Sequence, residues 1–353
     1  MTDHNPDSFG IEQHLRWTAA DDSIHPVGNA ALDWTESIWF SFNVPQRSIG
    51  GWLYVQMRPN LGTVSGGAFV YDPSSALPWE LPWFGYQHHQ RLPEPLDITD
   101  VTFPTGVSVK VIEPGMVYDL KYQFRDQTDF TADLRFEGLT PPVPHRNGAP
   151  PFVGSSHYDQ HGRVTGTLHL RGEDIPVDCI AVRDRSWGRR PERLGRVERL
   201  SYAFGHLDRV DGTQDAFLAF CVPHDGDAQS LTERVVSGYL FRDGVLRRFV
   251  SGERRTTRDP VSGGPATIEL DCVDEDDRRL VVRGVAESRM FLSIFHLCIN
   301  TILRWEDVSG EQPAVGYGED QDVWALADFA DRIQADRIQA DRIQADRVQR
   351  TSV

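Results

Sequence analysis

Tyr118-Asp-Leu-Lys-Tyr-Gln-Phe124 and, after a short polar break, Phe130-Thr-Ala-Asp-Leu-Arg-Phe136 decide the fold class of this chain. In both stretches an apolar side chain falls on every second residue, with mostly charged or polar residues between. Side chains alternate between the two faces of a strand, so a period of two describes strands buried on one face and wet on the other, the pattern of antiparallel sheets. Toward the N-terminus the signal recurs in Ile38, Phe40, Phe42 and Val44, then after Gly50-Gly51 in Leu53, Val55 and Met57, and after Gly66-Gly67 in Ala68 to Tyr71. Toward the C-terminus it returns in Val164, Gly166, Leu168 and Leu170, then over 177–182, 216–222, 236–241 and 279–285, with Asp243-Gly244 as a hairpin turn. Strands at this spacing, without helical patterns between them, predict an all-β chain with a barrel or sandwich in each half.

Residues 138–152 (GLTPPVPHRNGAPPF) hold five prolines and two glycines and read as a crossover, because proline cannot donate to a central ladder. The expected organisation is an N-terminal domain over 1–145, a second over 146–328 and a tail over 329–353. The tail repeats Ala-Asp-Arg-Ile-Gln every five residues. A five-residue step spreads Ile333, Ile338, Ile343 and Val348 around a helix instead of lining them up, so the tail is read as a helical or disordered appendage outside the chemistry.

The 353 residues carry a formal net charge of −16, which repels phosphate backbones and argues against nucleic acid as a partner. The polar, acidic N-terminus lacks a basic segment followed by an apolar one, and the run 290–303 is too short and polar to span a bilayer. Cys179, Cys221, Cys272 and Cys298 are widely spaced within apolar runs, which fits free buried thiols and a cytoplasmic location. His88-His89 lies in what reads as a Pro- and Trp-rich loop; neighbours on an extended segment point apart, so no metal is expected there. No phosphate-binding loop, dinucleotide fingerprint or nucleophile elbow is present, and no cofactor is expected. Oligomeric state is not legible.

Several strands are apolar on both faces. Phe217, Ala219 and Cys221 stand back to back with Leu218, Phe220 and Val222, and Trp39 interrupts the polar side of its strand. Two readings stand: an aromatic barrel interior that holds an apolar ligand, or strands buried at an interface between domains.

The stretch richest in chemistry is Arg183-Asp-Arg-Ser-Trp-Gly188. Together with His157-Tyr-Asp-Gln160, Gly162-Arg-Val-Thr-Gly166, residues 40–72 and the late Gly316-Tyr-Gly-Glu-Asp-Gln-Asp-Val-Trp324, it resembles the hydroxyneurosporene synthase-like proteins, which include the carotenoid 1,2-hydratases. The resemblance spans residues 35–325 and implies two tandem lipocalin-like antiparallel β-barrels, an apolar isoprenoid substrate and cofactor-free addition or removal of water at a C=C bond. Carried over by position, Asp184 and Trp187 match the family's acid and tryptophan. Arg185 stands where the family commonly has histidine, and arginine cannot serve as a general acid near neutral pH.

Alkene hydration needs an acid, a wall that stabilises a cation, and a positioned water. Asp184 and Trp187 offer the first two. Tyr202, His206 and Asp208 share one face of the next predicted strand and offer hydroxyl, imidazole and carboxylate. The catalytic candidates are therefore Asp184, Tyr202, His206 and Asp208, and the substrate-binding candidates Trp187, Arg185, Trp39, Tyr54 and Phe204, with His157, His161 and His296 in reserve. Against this, an aspartate held between two arginines would be a salt-bridged latch with a lowered pKa, and Arg183, Asp184 and Trp187 would then plug a barrel end. An isomerase or cyclase, or a carrier of a lipophilic molecule, are the rival functions.

Overall fold

The computed structural model describes residues 17–25, 31–145, 152, 154–190, 199–293, 296–310 and 313–336. Among these residues nineteen strands form two sheets. The first sheet uses β1 (Trp34–Val44), β2 (Ile49–Arg58), β3 (Thr63–Tyr71), β4 (Trp83–Arg91), β5 (Asp100–Thr102), β6 (Val107–Glu113), β7 (Val117–Tyr122), β8 (Phe130–Gly138), β9 (Val143–His145), β10 (Ser155–Leu170) and β11 (Glu173–Arg189). Its order is β4-β3-β2-β1-β11-β10-β8-β7-β6-β5, with β9 added beside β10. The remaining strands close into a meander barrel: β12 (Leu200–Arg209), β13 (Gln214–Pro223), β14 (Thr232–Arg242), β15 (Val245–Arg258), β16 (Pro265–Asp274), β17 (Arg279–Ser293), β18 (Leu297–Asp307) and β19 (Ala314–Trp324). The fold is thus all-β, with one closed barrel and one curled, open sheet. A helix over 326–336 follows β19 and seats Phe329 against Trp324, 5.6 Å between ring centres. Ile338, Ile343 and Val348 of the repeat lie outside the described residues.

Two local readings change. The 81–89 segment is not a loop, since Trp83–Arg91 is β4 at the sheet edge. The change of sheet falls between Arg189 and Leu200, not at the proline-rich stretch: β10 and β11 come after that stretch, yet pair with β8 and β1 of the first sheet. The Asp243-Gly244 turn has both residues at positive φ, 55° and 72°, the backbone twist that suits a two-residue hairpin.

Two-sided burial follows from the layering. Phe40, Phe42, Tyr118, Leu134 and Phe136 fill the hollow of the curled sheet. The barrel interior is packed solid by Ala203, Phe217, Ala219, Cys221, Leu240 and Trp305 among others. Between the two, Trp39, Trp52, Phe69, Tyr202, Leu218 and Phe220 form a third apolar layer. The back-to-back residues of β13 are therefore divided between barrel core and sheet interface. The aromatic faces read from the sequence belong to that interface, and the barrel interior is a filled core.

Candidate active site

A cavity of about 310 Å³ opens in the interface layer. Its first wall is built from two neighbouring cross-strand rows of the curled sheet. One row runs Tyr86, Gly67, Tyr54, Trp39, Asp184, Asp159 across β4, β3, β2, β1, β11 and β10. The next holds Ser37, Ser186 and His157. Directly opposed residues share a face, so the ladder register alone brings these groups together. Gly67 is required in its row, because a Cβ there would lie 1.7 Å from the carbonyl oxygen of Gly85. The facing wall comes from the barrel: Tyr202 of β12, Phe220 of β13, Leu292 of β17 and Gln321 of β19, with His296 at the β17–β18 turn.

Alternation sorts the Arg-Asp-Arg-Ser-Trp motif. Asp184 and Ser186 face the cavity, while Arg183, Arg185 and Trp187 project to the other face. There Arg183 meets Tyr158 at 3.2 Å and Asp22 at 3.5 Å, Arg185 meets Glu36 at 2.5 Å, and Trp187 stacks on His25 with 3.8 Å between ring centres. The two arginines that flank Asp184 in sequence thus pair with other carboxylates. Among the described residues, no group donates a hydrogen bond to the Asp184 carboxyl. Burial, with the Asp159 carboxylate across the strand pair adding to it, pushes Asp184 up to about 7, against the pull of His157, Arg190 and Arg183.

Asp159 is the opposite case. Its Oδ2 lies 2.6 Å from His145 Nε2 and 3.0 Å from His157 Nε2, and Tyr202 donates its hydroxyl to Oδ1 at 2.5 Å. Burial opposes ionisation, but the two imidazoles outweigh it and hold Asp159 below the ordinary carboxylate range. His145 is pulled down by burial and meets Ser237 Oγ through Nδ1 at 2.6 Å. His157 stacks on Phe152 at 4.1 Å and lines the cavity, with Nε2 engaged by Asp159 and Nδ1 buried without a partner among the described residues.

Three donor atoms of His145, His157 and Asp159 lie within 4.8 Å of one another, the composition of a metal triad. Ligands of one tetrahedral zinc sit about 3.3 Å apart at ordinary bond lengths. Both nitrogens here are closer than that to a single carboxylate oxygen, so the spacing is that of a hydrogen-bonded hub around Asp159.

Of the residues singled out from the sequence, Asp184, Tyr202, Trp39 and Tyr54 meet at the cavity. Phe204 packs behind them, 6.0 Å from the Trp39 ring and 5.3 Å from that of Tyr202. His206 is buried at the same interface outside the cavity lining, and Asp208 is exposed and accepts from Gln214 at 2.6 Å. Arg185 and Trp187 lie on the far face. The sequence reading left Asp159, His145 and Arg190 unassigned; a period of two from His157 within the quoted His157-Tyr-Asp element carried the signal for Asp159.

Among the solved structures that share this fold are kievitone hydratase and CghA. Kievitone hydratase from Nectria haematococca is 12% identical with a TM-score of 0.50, over 87% of this chain and 94% of that one. CghA with Sch210972 is also 12% identical with a TM-score of 0.50, over 89% and 97% of the two chains. At this identity the likeness concerns the fold: the relationship to a hydratase expected from the sequence holds at that level, and a carotenoid substrate is not carried by it. No curated protein matches the sequence. A family model described as a domain of unknown function, DUF7064, matches residues 18–322, and the chain belongs to that family.

Proposed function

We propose that this member of the DUF7064 family is a cofactor-free hydro-lyase that adds water to, or removes it from, a C=C bond of an apolar, isoprenoid-like small molecule held between the two sheets. The observation that carries the reading is Asp184: a carboxyl with no hydrogen-bond donor among the described residues, facing an aromatic cavity, its pKa raised by burial and by Asp159. A carboxyl kept neutral in this way is a proton donor near pH 7. In a carrier, the same group would only weaken the binding of an apolar ligand.

In the hydration direction the Asp184 carboxyl gives its proton to one alkene carbon. The cation left on the neighbouring carbon faces the rings of Trp39 and Tyr54, each worth about 0.5–2 kcal/mol to a cation. Water attacks that carbon and passes a proton to His157 Nδ1, whose ring is fixed through Nε2 by Asp159. Return of that proton to Asp184 closes the cycle, with one water consumed and one alcohol formed. Dehydration runs the same steps backward. A volume of about 310 Å³ sits at the low end of small-molecule sites and suits a short substrate or one end of a longer one.

The test is incubation with a panel of terpenoid alkenes in H₂¹⁸O, read by mass spectrometry, alongside Asp184→Asn. Label in an alcohol product, lost in the variant, is the expected result. An unlabelled rearranged product would make the protein an isomerase or cyclase, and an unchanged co-purifying ligand would make it a carrier.

A further inference from the structure

Among the described residues one arginine lines the cavity, and the reaction above does not use it. Arg190 follows β11 directly, and its backbone N–H is held by the Asp33 carbonyl at 2.8 Å. Its guanidinium lines the cavity and donates to Ser186 Oγ, which in turn lies 2.9 Å from Ser37 Oγ. The Tyr54 hydroxyl is its other polar neighbour. Among the described residues no carboxylate lies within 4.0 Å of it, Asp184 included, whereas Arg183, Arg185 and Arg189 each have one within that distance. His296, which also lines the cavity, is pushed down by burial and by the arginine's charge and so adds no second cation there. A half-buried guanidinium held by hydroxyls alone leaves donors for a partner, and a fixed cation in an otherwise apolar chamber favours an oxyanion over a neutral hydrocarbon.

We infer that the substrate of this cavity is an apolar skeleton bearing an acidic oxygen (a carboxylate, phenolate or enolate), and that Arg190, steadied by Ser186 and Tyr54, is the residue that binds that oxygen. The inference rests on the cavity being the substrate site of the proposed hydro-lyase and narrows the substrate class from plain isoprenoid hydrocarbons to acidic ones. It also gives the substrate a direction, with its charged end at Arg190 and its apolar body along Trp39 and Tyr54 toward Asp184.

Calorimetric titration of the full-length protein with 2-naphthoate and with its neutral counterpart 2-naphthylmethanol tests it without any need for turnover. Charged hydrogen bonds of this kind are worth about 1.5–3 kcal/mol, so the wild type should prefer the carboxylate by about tenfold to a hundredfold. Arg190→Met should remove that preference while leaving the alcohol within about twofold. Raising the salt concentration should weaken the carboxylate alone in the wild type, a check independent of how any variant folds. Equal affinity for the two ligands, a preference that survives in Arg190→Met, or no binding of either would overturn the inference. Asp184→Asn should keep the preference. A protein that discriminates between the naphthalenes but hydrates nothing would sink the hydro-lyase reading and leave the anion site standing.

Discussion

Two clusters of buried ionisable groups face away from each other in this molecule, and each contains one aspartate with a raised pKa and one with a lowered pKa. At the cavity these are Asp184 and Asp159. Inside the barrel they are Asp320, pushed up to about 7 by burial, and Asp322, held down by Arg258 and Arg199 against burial. Titration alone does not tell them apart. Pairing and access do. In the barrel, three arginines meet three carboxylates: Arg254 reaches Glu233 and, at 2.9 Å, Asp320; Arg199 reaches Glu233 at 2.8 Å and Asp322 at 3.1 Å; Arg258 reaches Asp322 at 2.6 Å. Trp324 lies beneath Arg199 and Arg258, at 4.0 and 4.8 Å from the ring centre. This is the tryptophan–arginine plug that the sequence reading offered for Asp184, located at the barrel instead. At the cavity the two arginines that flank Asp184 in sequence point to the opposite face, and Arg190, which lines the cavity, has no carboxylate within 4.0 Å among the described residues. A matched, sealed cluster is architecture; an unmatched carboxyl on a cavity is where chemistry can occur.

The largest expected effect breaks this comparison in two directions. Asp184→Asn removes the proposed proton donor and should lower kcat/KM by about 10²- to 10⁴-fold, with the melting temperature unchanged or raised, since a neutral amide suits that environment. Arg254→Met should do the reverse. Turnover per folded molecule should persist, while stranding Asp320 and leaving Glu233 with Arg199 alone should cost about 3–5 kcal/mol. At about 2–4 °C per kcal/mol this lowers the melting temperature by about 10 °C. If Arg254→Met abolished turnover in molecules that remain folded, the barrel cluster could not be called architecture.

How much of this was legible follows from the range of each interaction. Alternation is local, so the strands, the all-β class and the Asp243-Gly244 turn could be read directly. Asp184, Tyr202, Trp39 and Tyr54 were reached from residue chemistry and resemblance, and they converge. Which face of each strand looks where was harder, because it depends on partners far along the chain: Ser37 and Ser186, in adjacent strands, are 149 positions apart. For that reason the proline-rich crossover at 138–152 does not coincide with the change of sheet, and the choice between barrel interior and interface for the aromatic faces stayed open in the sequence. The far-side position of Arg185 and Trp187 was legible, since residues one and three beyond Asp184 on a strand must oppose it. Asp208 was placed correctly on the face of Tyr202, but the strand carries it past the edge of the interface into solvent.

A smaller effect concerns pH. Glu319, beneath Trp52, accepts from that indole at 3.1 Å, and burial pushes its pKa up to about 8. Asp184 and Glu319 both hold protons in the folded state that an unfolded carboxyl releases near pH 4. Stability from these two is full below that value and is lost as pH rises through their folded values. Glu319→Gln should therefore flatten the fall in melting temperature between pH 5 and about 8. Turnover should still fall as pH rises through about 7, where the proposed acid Asp184 loses its proton. Thermal melts and rates taken over the same pH series separate the two groups. A rate profile that moved with Glu319→Gln would transfer the acid role to Glu319.

The smallest expected effect is at Asp208, whose side chain is 56% exposed and sits 3.6 Å from His206. By residue type it is as good an acid as Asp184, and it shares a strand face with Tyr202. Nothing encloses it: its pKa is lowered, first through the His206 contact, so it is ionised at neutral pH and cannot donate a proton. Surface groups of this kind contribute within about 0.5 kcal/mol, so Asp208→Asn should leave kcat within about twofold and the melting temperature within about 2 °C. A loss in Asp208→Asn comparable to that in Asp184→Asn would mean that enclosure is not what selects the acid, and the contrast between the cavity and the barrel would lose its meaning.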